Sequence, residues 1–192
     1  MRTFAVLGHL APTGDGFSLD DLPGSAGRMD ILCRCVNAAL SLSHGIRRDA
    51  EIHLLLLGPP SPPRDVLVRG DAVRSLSPDE RSTAALIRKA LALPVGEVFR
   101  ESSPGVYVRR GGLGGILAGG EFAVLAEEGE DVRTGSNLPT GFLLSDHLDF
   151  TEAEEAVLAG LPRLSVGPRV LHADHTIAVL QNELDRRDAG WS

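Results

Sequence analysis

The chain has 192 residues, a formal charge of −7 and 43% hydrophobic residues, with aromatics at only 4%. That length predicts one domain, or two lobes sharing a core of Leu, Val, Ile and Ala. No apolar run approaches the ~20 residues that span a bilayer, and Pro12 interrupts the first apolar run too soon for a signal peptide, so a soluble cytoplasmic protein without a membrane partner is expected.

The charge is unevenly spread. Residues 28–110 carry twelve Arg and one Lys against nine acids, a local +4, whereas residues 111–192 carry five Arg against fourteen acids, a local −9. Lys89 is the single lysine. Arginine suits phosphate and base recognition because its planar fork donates several hydrogen bonds. Cys33 and Cys35 are the only cysteines, and they read as small buried hydrophobes.

Thr3–Leu7 predicts a first buried strand ending at Gly8-His9. Residues 10–27, rich in Gly, Pro, Ser and Asp, predict a long loop, and long loops in compact domains are usually functional. A helix follows from about Arg28 to Ser43, with Met29, Leu32, Cys33, Val36 and Leu40 as its stripe. Glu51–Leu57 is the next strand, and a strand–helix–strand order points to a parallel sheet. After a proline-rich loop, Val66–Val68 reads as a short edge strand. Ser77 is expected to cap a helix that runs to about Leu91, with Pro78 first and Glu80 at the capping-box spacing.

Gly105–Arg110 predicts a strand ending in two arginines. The glycine-rich run Gly111–Gly120 lacks the Gly-Lys-Ser/Thr ending of a phosphate loop, so a small-residue helical turn is favoured. Glu121–Leu125 is a strand closed by an acidic turn, Glu127–Asp131. Gly141–Leu144 is another strand, running into Ser145-Asp146-His147. Thr151 caps a helix with Glu154 in the capping-box position. Leu164–Val166 is a short strand broken by Gly167-Pro168. A last helix begins at Leu171, with Ile177, Leu180 and Leu184 on one side. Polar residues His172, Asp174, His175 and Thr176 interrupt this join. Backbone N–H groups converge at such strand–loop–helix joins, where α/β proteins place ligands. A cofactor loop is therefore expected here, with the N-terminal half bringing the substrate. His172 and His175 lack a clear third ligand, and no metal is expected.

Four segments together resemble one family: Asp20–Asp49, Ser77–Arg81, Pro104–Arg110 and Leu164–Thr176. In this order they resemble the archaeal tRNA pseudouridine-54 N1-methyltransferases, the TrmY family of SPOUT, or α/β-knot, methyltransferases. The resemblance implies an α/β fold with a mostly parallel sheet flanked by helices and a C-terminal trefoil knot. It implies a single domain, 1–192, with an RNA-facing half (1–110) and a knotted half (111–192) that binds S-adenosylmethionine, and it implies a homodimer. By matching position the cofactor cradle is Leu125, Ser145, Leu164, Val166, Gly167, Leu171 and Thr176. Arg28, Arg34, Arg109 and Arg110 are the expected tRNA contacts, and Asp30 is the candidate for holding or deprotonating the target base. Family members often carry Gly in place of Ser145 and Cys in place of Thr176. Without the resemblance, Asp30 reads as an ion-pair partner of Arg28 or Arg34. The alternatives are an N1-methyltransferase of a small-subunit rRNA pseudouridine, a knotted RNA-binding protein without catalysis, and an oxidoreductase using Gly111–Gly120.

Overall fold

The computed structural model describes residues 1–135 and 137–191. In chain order the elements are β1 (Arg2–Gly8), α1 (Met29–Leu40), β2 (Ser41–Leu42), β3 (Gly45–Ile46), β4 (Ala50–Leu56), β5 (Arg64–Arg69) and α2 (Glu80–Leu91). Then come β6 (Arg100–Ser103), β7 (Val106–Arg109), α3 (Leu113–Leu117), β8 (Phe122–Asp131), β9 (Gly141–Ser145), α4 (Glu152–Leu158), β10 (Arg163–Ser165) and α5 (Ala173–Asp188). Eight strands form one sheet in the order β10-β8-β9-β1-β4-β5-β7-β6, and β2–β3 make a separate two-stranded ribbon. The run from β10 to β4 is parallel, whereas β5, β7 and β6 are added antiparallel.

Alternation along each strand divides the core between the two faces of the sheet. Phe4, Val6, Ile52, Leu54, Val66, Val108 and Phe142 point to the side covered by α1, α2 and α5. Ala5, Leu7, Leu55, Phe122, Val124 and Leu143 meet α3 and α4 through Ile116 and Leu158. The last helix is tied to the start of the chain: Arg2 donates to Gln181 at 2.6 Å and to Asp185 at 2.7 Å, and Gln181 donates to the Ala39 carbonyl at 2.8 Å.

The helix over 113–117, the capping box of Thr151 with Glu154, and the burial of both free cysteines match the sequence reading. Five readings are corrected. β5 is an interior strand, because the β6–β7 hairpin extends the sheet beyond it, and the polar sequence of β6 gave no strand signal. Helix α2 is capped by Asp79, whose carboxylate accepts from the Ser82 N–H at 2.8 Å, two residues later than expected. Glu127–Asp131 continues β8, since β10 pairs there; the strands pass so closely that a Cβ on Gly129 would stand 2.5 Å from the Leu164 backbone nitrogen. Helix α1 stops at Leu40, where the β2–β3 ribbon begins. Helix α5 starts at Ala173, which leaves Leu171 in the loop.

The backbone at the start of α1 is unusual. Gly27 and Arg28 both lie in the left-handed region, at φ 55° and 63°. A Cβ on Gly27 would sit 1.9 Å from the Leu10 carbonyl oxygen. The same carbonyl crowds Gly58, where a Cβ would stand 2.5 Å away. The loop after β1 is thus pressed between α1 and the end of β4. Gly27→Ala should destabilise the fold by roughly 1–3 kcal/mol or more. Thermal unfolding checks this, and an unchanged Tm would show that the close approach is not required.

Candidate functional site

A cleft of about 450 Å³ opens between the carboxyl ends of β9 and β10, the middle of β8 and the start of α5. This is a volume typical of small-molecule sites. All seven residues expected in the cofactor cradle (Leu125, Ser145, Leu164, Val166, Gly167, Leu171 and Thr176) line it. Leu125, Leu144, Leu164 and Val166 make an apolar floor, and Glu127, Glu128 and Asp149 stand among the rim acids. Ser165 ties the loop, donating to the Gly167 carbonyl at 2.9 Å and accepting its N–H at 3.3 Å. The Thr176 hydroxyl donates to the His172 carbonyl, and that of Ser145 to the Leu148 carbonyl. Both hydroxyls therefore serve the local fold. Nothing lies within 4 Å of a Cβ built on Gly167, so its backbone faces open space.

One wall of the cleft is held by a network that the sequence did not reveal. Leu7 pairs with Ser145, which sets His9 beside Asp146. Asp146 accepts the His9 N–H at 3.1 Å and lies 3.0 Å from its Nδ1, while His9 Nε2 lies 3.0 Å from Glu154. The Asp146 side chain is 1% exposed. Burial pushes the His9 pKa down, but the hydrogen bonds of Asp146 and Glu154 outweigh it, and His9 titrates above its usual value. Burial pushes Glu154 up, yet His9 and the Thr151 cap hold it below the usual carboxylate range.

A second network starts at the strained turn before α1. Arg28 grips both oxygens of the buried Asp30 at 3.0 Å, and Arg34 Nη1 reaches Asp30 at 3.0 Å and Glu80 at 3.1 Å. Arg34 Nε also stands 3.3 Å from Asp174, in the first turn of α5. Ala173 and His172, the preceding residues, line the cleft. Burial favours the neutral acid at Asp30, but the hydrogen bonds from Arg28 and Arg34 prevail and lower its pKa. Asp30 is therefore a stable anion and a weak proton acceptor.

Arg109 is not brought to this network. It projects from the other face, where it donates to Asp65 at 2.9 Å and lies over the Phe99 ring at 4.3 Å. His53 shares the same carboxylate at 2.8 Å. Arg110 is exposed at the end of β7 on the α1–α2 side. Among the described residues, no group of three His, Cys, Asp or Glu is placed to hold a metal.

A family model described as "Putative SAM-dependent RNA methyltransferase" matches residues 1–189. A protein of Methanocorpusculum labreanum is 52% identical over 97% of this chain and 98% of its own length, and one of Methanospirillum hungatei is 49% identical over the whole of both. Each is named tRNA (pseudouridine(54)-N(1))-methyltransferase. The chain belongs to this methyltransferase family. A relative from Haloferax volcanii, 48% identical over all of this chain and 99% of its own, bears the same name. The crystal structure of Archaeoglobus fulgidus Nep1 bound to S-adenosylhomocysteine covers 98% of this chain and 100% of its own, with a TM-score of 0.62 at 15% identity. That likeness establishes a shared α/β fold for this member of the methyltransferase family.

The His9 network predicts a pH signature. His9 has a folded-state pKa above its unfolded value, so its stabilisation is fully present below about pH 6.5 and is lost as pH rises through the folded value. Glu154 has the opposite sign, its contribution fading as pH falls through its lowered value. His9→Gln should therefore cost most Tm near about pH 6 and progressively less towards about pH 9. Thermal melts of both proteins across that range check it, and a gap independent of pH would contradict the assignment.

Proposed function

We propose that the protein transfers a methyl group from S-adenosylmethionine to N1 of pseudouridine-54 in the tRNA T-loop. The observation that carries this reading is the meeting, at one sheet edge, of a cleft suited to the cofactor and an arginine-bearing helix start. The cleft fits the cofactor: its floor is apolar, Gly167 leaves the main chain open to close approach, and rim acids complement a cationic sulfonium and amino group. Bound there, S-adenosylmethionine supplies an already activated methyl group.

The chain's own contribution is then orientation, which supplies on the order of 7–11 kcal/mol in favourable cases. The target base must leave its stack to reach the cleft. Arg28 offers its outer edge to the RNA and Arg34, held by Asp30, Glu80 and Asp174, backs it, with Arg110 further along the edge and Arg109 on the opposite face as an outlying contact. Asp30 serves best as the group that aims Arg28 and Arg34, or that accepts an N–H of the base.

In the same reading the chain is one α/β-knot domain, with residues 1–110 facing RNA and 111–192 forming the knotted cofactor half. Support for the knot comes from β10 pairing outside β8 while α5 returns across the sheet to α1. Stretching the denatured chain from its ends should leave a contour shorter than that of a free chain. A homodimer is supported by Leu148, Val170 and Leu171, three exposed apolar side chains that line the cleft mouth. Light scattering should give about twice the 20.3 kDa chain mass, and a monomer would reject this part. No helix among the described residues is long and apolar enough to cross a membrane. In this reading the enzyme works in the cytoplasm, where its tRNA substrate is.

Mass spectrometry of a T-arm hairpin, incubated with the protein and S-adenosylmethionine, tests the reaction. Methylation is expected with pseudouridine at the target position and not with uridine, and transfer only to a small-subunit rRNA hairpin would overturn the choice of substrate. Arg28→Gln should lower kcat/KM for the hairpin on the order of 10–100-fold, as expected for a lost charge-assisted contact.

Gly167→Val tests the cleft separately. The added side chain meets open space in the fold, so Tm should hold, while the affinity for S-adenosylmethionine by calorimetry should fall about tenfold or more. Unchanged affinity would remove Gly167 from the cradle.

A further inference from the structure

Arg64 opens β5 and Arg110 follows β7. These strands pair antiparallel with Asp65 opposite Arg109, so the next step outward sets Arg64 opposite Arg110. Asp65 and Arg109 are ion-paired on the α3 side, and alternation turns Arg64 and Arg110 to the other side, that of Val66, Val108 and α2. Like charges directly opposed across a strand pair repel. Burial first, and then Arg110, hold the Arg64 guanidinium below the usual arginine value.

Several other arginines are neutralised. Arg2 and Arg47 reach Asp185, Arg34 reaches Asp30, Glu80 and Asp174, and Arg109 reaches Asp65. Arg64 and Arg110 make no ion pair among the described residues, and Nη1 of Arg64 is buried with no hydrogen-bond partner. Leaving such a donor unpaired is unfavourable. Two guanidinium groups opposed across the strand pair, one with a buried idle donor, have the composition of an anion-binding site.

Its place indicates which anion. Gly8 pairs with Leu56, and Leu56 with Arg64, so Gly8, Leu56, Arg64 and Arg110 form one row along the carboxyl edge of β1 and β4. Ser145, at the cleft, pairs with Leu7, the residue before Gly8. With strands about 4.8 Å apart, the arginine pair lies roughly 17 Å from the cleft along this edge. A polyanion with one nucleotide in the cleft would have a flanking phosphate within this reach.

We propose that Arg64 and Arg110 together bind a backbone phosphate of the substrate RNA, a few nucleotides from the target base. This rests on the RNA-methyltransferase reading above for the choice of ligand, and it adds Arg64, a half-buried residue, to the RNA surface. Arg110 approaches the phosphate from the exposed side, and Arg64 supplies the idle Nη1 from beneath.

The test uses the full chain and a fluorescent T-arm hairpin carrying pseudouridine at the target position, titrated by anisotropy over a salt series. Arg64→Gln and Arg110→Gln should each weaken binding about 3–10-fold at low salt and flatten the log Kd–log salt slope by roughly one unit per contact. Removing the repulsion, Arg64→Gln should hold or raise Tm, and neither change should alter the affinity for S-adenosylmethionine. A double variant with affinity and slope within about twofold of the parent overturns the pair, as does a marked fall in Tm for Arg64→Gln, which would make its role structural. If the parent methylates the hairpin while the double variant binds it unchanged, the pair is wrong and the methyltransferase reading stands. If binding depends on both arginines but no methyl group is transferred, the pair stands and the methyltransferase reading fails.

Discussion

The structure depends on the placement of β1 between two parallel partners, β4 and β9. That position brings the ends of strands far apart in the chain to one edge: Gly8 beside Leu56, and Leu7 beside Ser145. A parallel neighbour cannot be reached by a tight turn, so helices and long loops must cover the faces and return to this edge. The crowding of Gly27 and Gly58 against the Leu10 carbonyl follows from the same convergence. So does the clamp of His9 on Asp146 and Glu154, which fastens the first strand to the wall of the cleft. Without the β1–β9 register, the cofactor cleft and the strained start of α1 would belong to separate halves.

Electrostatics divide the surface along that edge. The net charge of −7 argues against nucleic acid, and the local +4 of residues 28–110 argues for it. The structure shows how both hold. Many arginines are consumed internally: Arg2 and Arg47 dock α5, and Arg34 joins the starts of α1, α2 and α5. The positive potential offered to RNA therefore comes from few groups, chiefly the outer edge of Arg28 and, on our proposal, Arg64 with Arg110. A small number of phosphate contacts makes for a shallow salt dependence, because each contact releases about one counterion. That suits a protein whose remaining surface repels polyanions.

Much of the cleft was legible in the sequence. The Leu164–Thr176 segment combines a buried strand, a Gly-Pro break and a polar helix start, and all seven cradle positions carried over by family resemblance line one cavity. The sequence reading grouped Arg109 with Arg110 as tRNA contacts, although adjacent residues of a strand point to opposite sides. That parity alone separates Arg109 from Arg28. Other features left no local trace. His9 follows a strand and Asp146 follows another, but only the sheet order makes them neighbours. The acidic end of β8 looks like a turn because its charges point to solvent, and it is a strand only because β10 lies beside it. Arg64 stood out in no pattern, because its distinction is an absent partner.

The Asp30 network bears on how the proposed reaction divides its work. A general base functions best when its pKa lies near the working pH. Asp30 is driven the other way, because Arg28 and Arg34 stabilise its charged form against the opposing effect of burial. The same two contacts fix the guanidinium groups that face outward, and one of them passes through Arg34 to Asp174, which follows the cleft-lining Ala173. The arrangement is thus built to hold geometry between the RNA side and the cofactor side. For a donor whose methyl group is already activated, holding the acceptor nitrogen in line is the larger part of the task. The proton released from the base can then pass to solvent at the open mouth of the cleft, without a strong base in the protein.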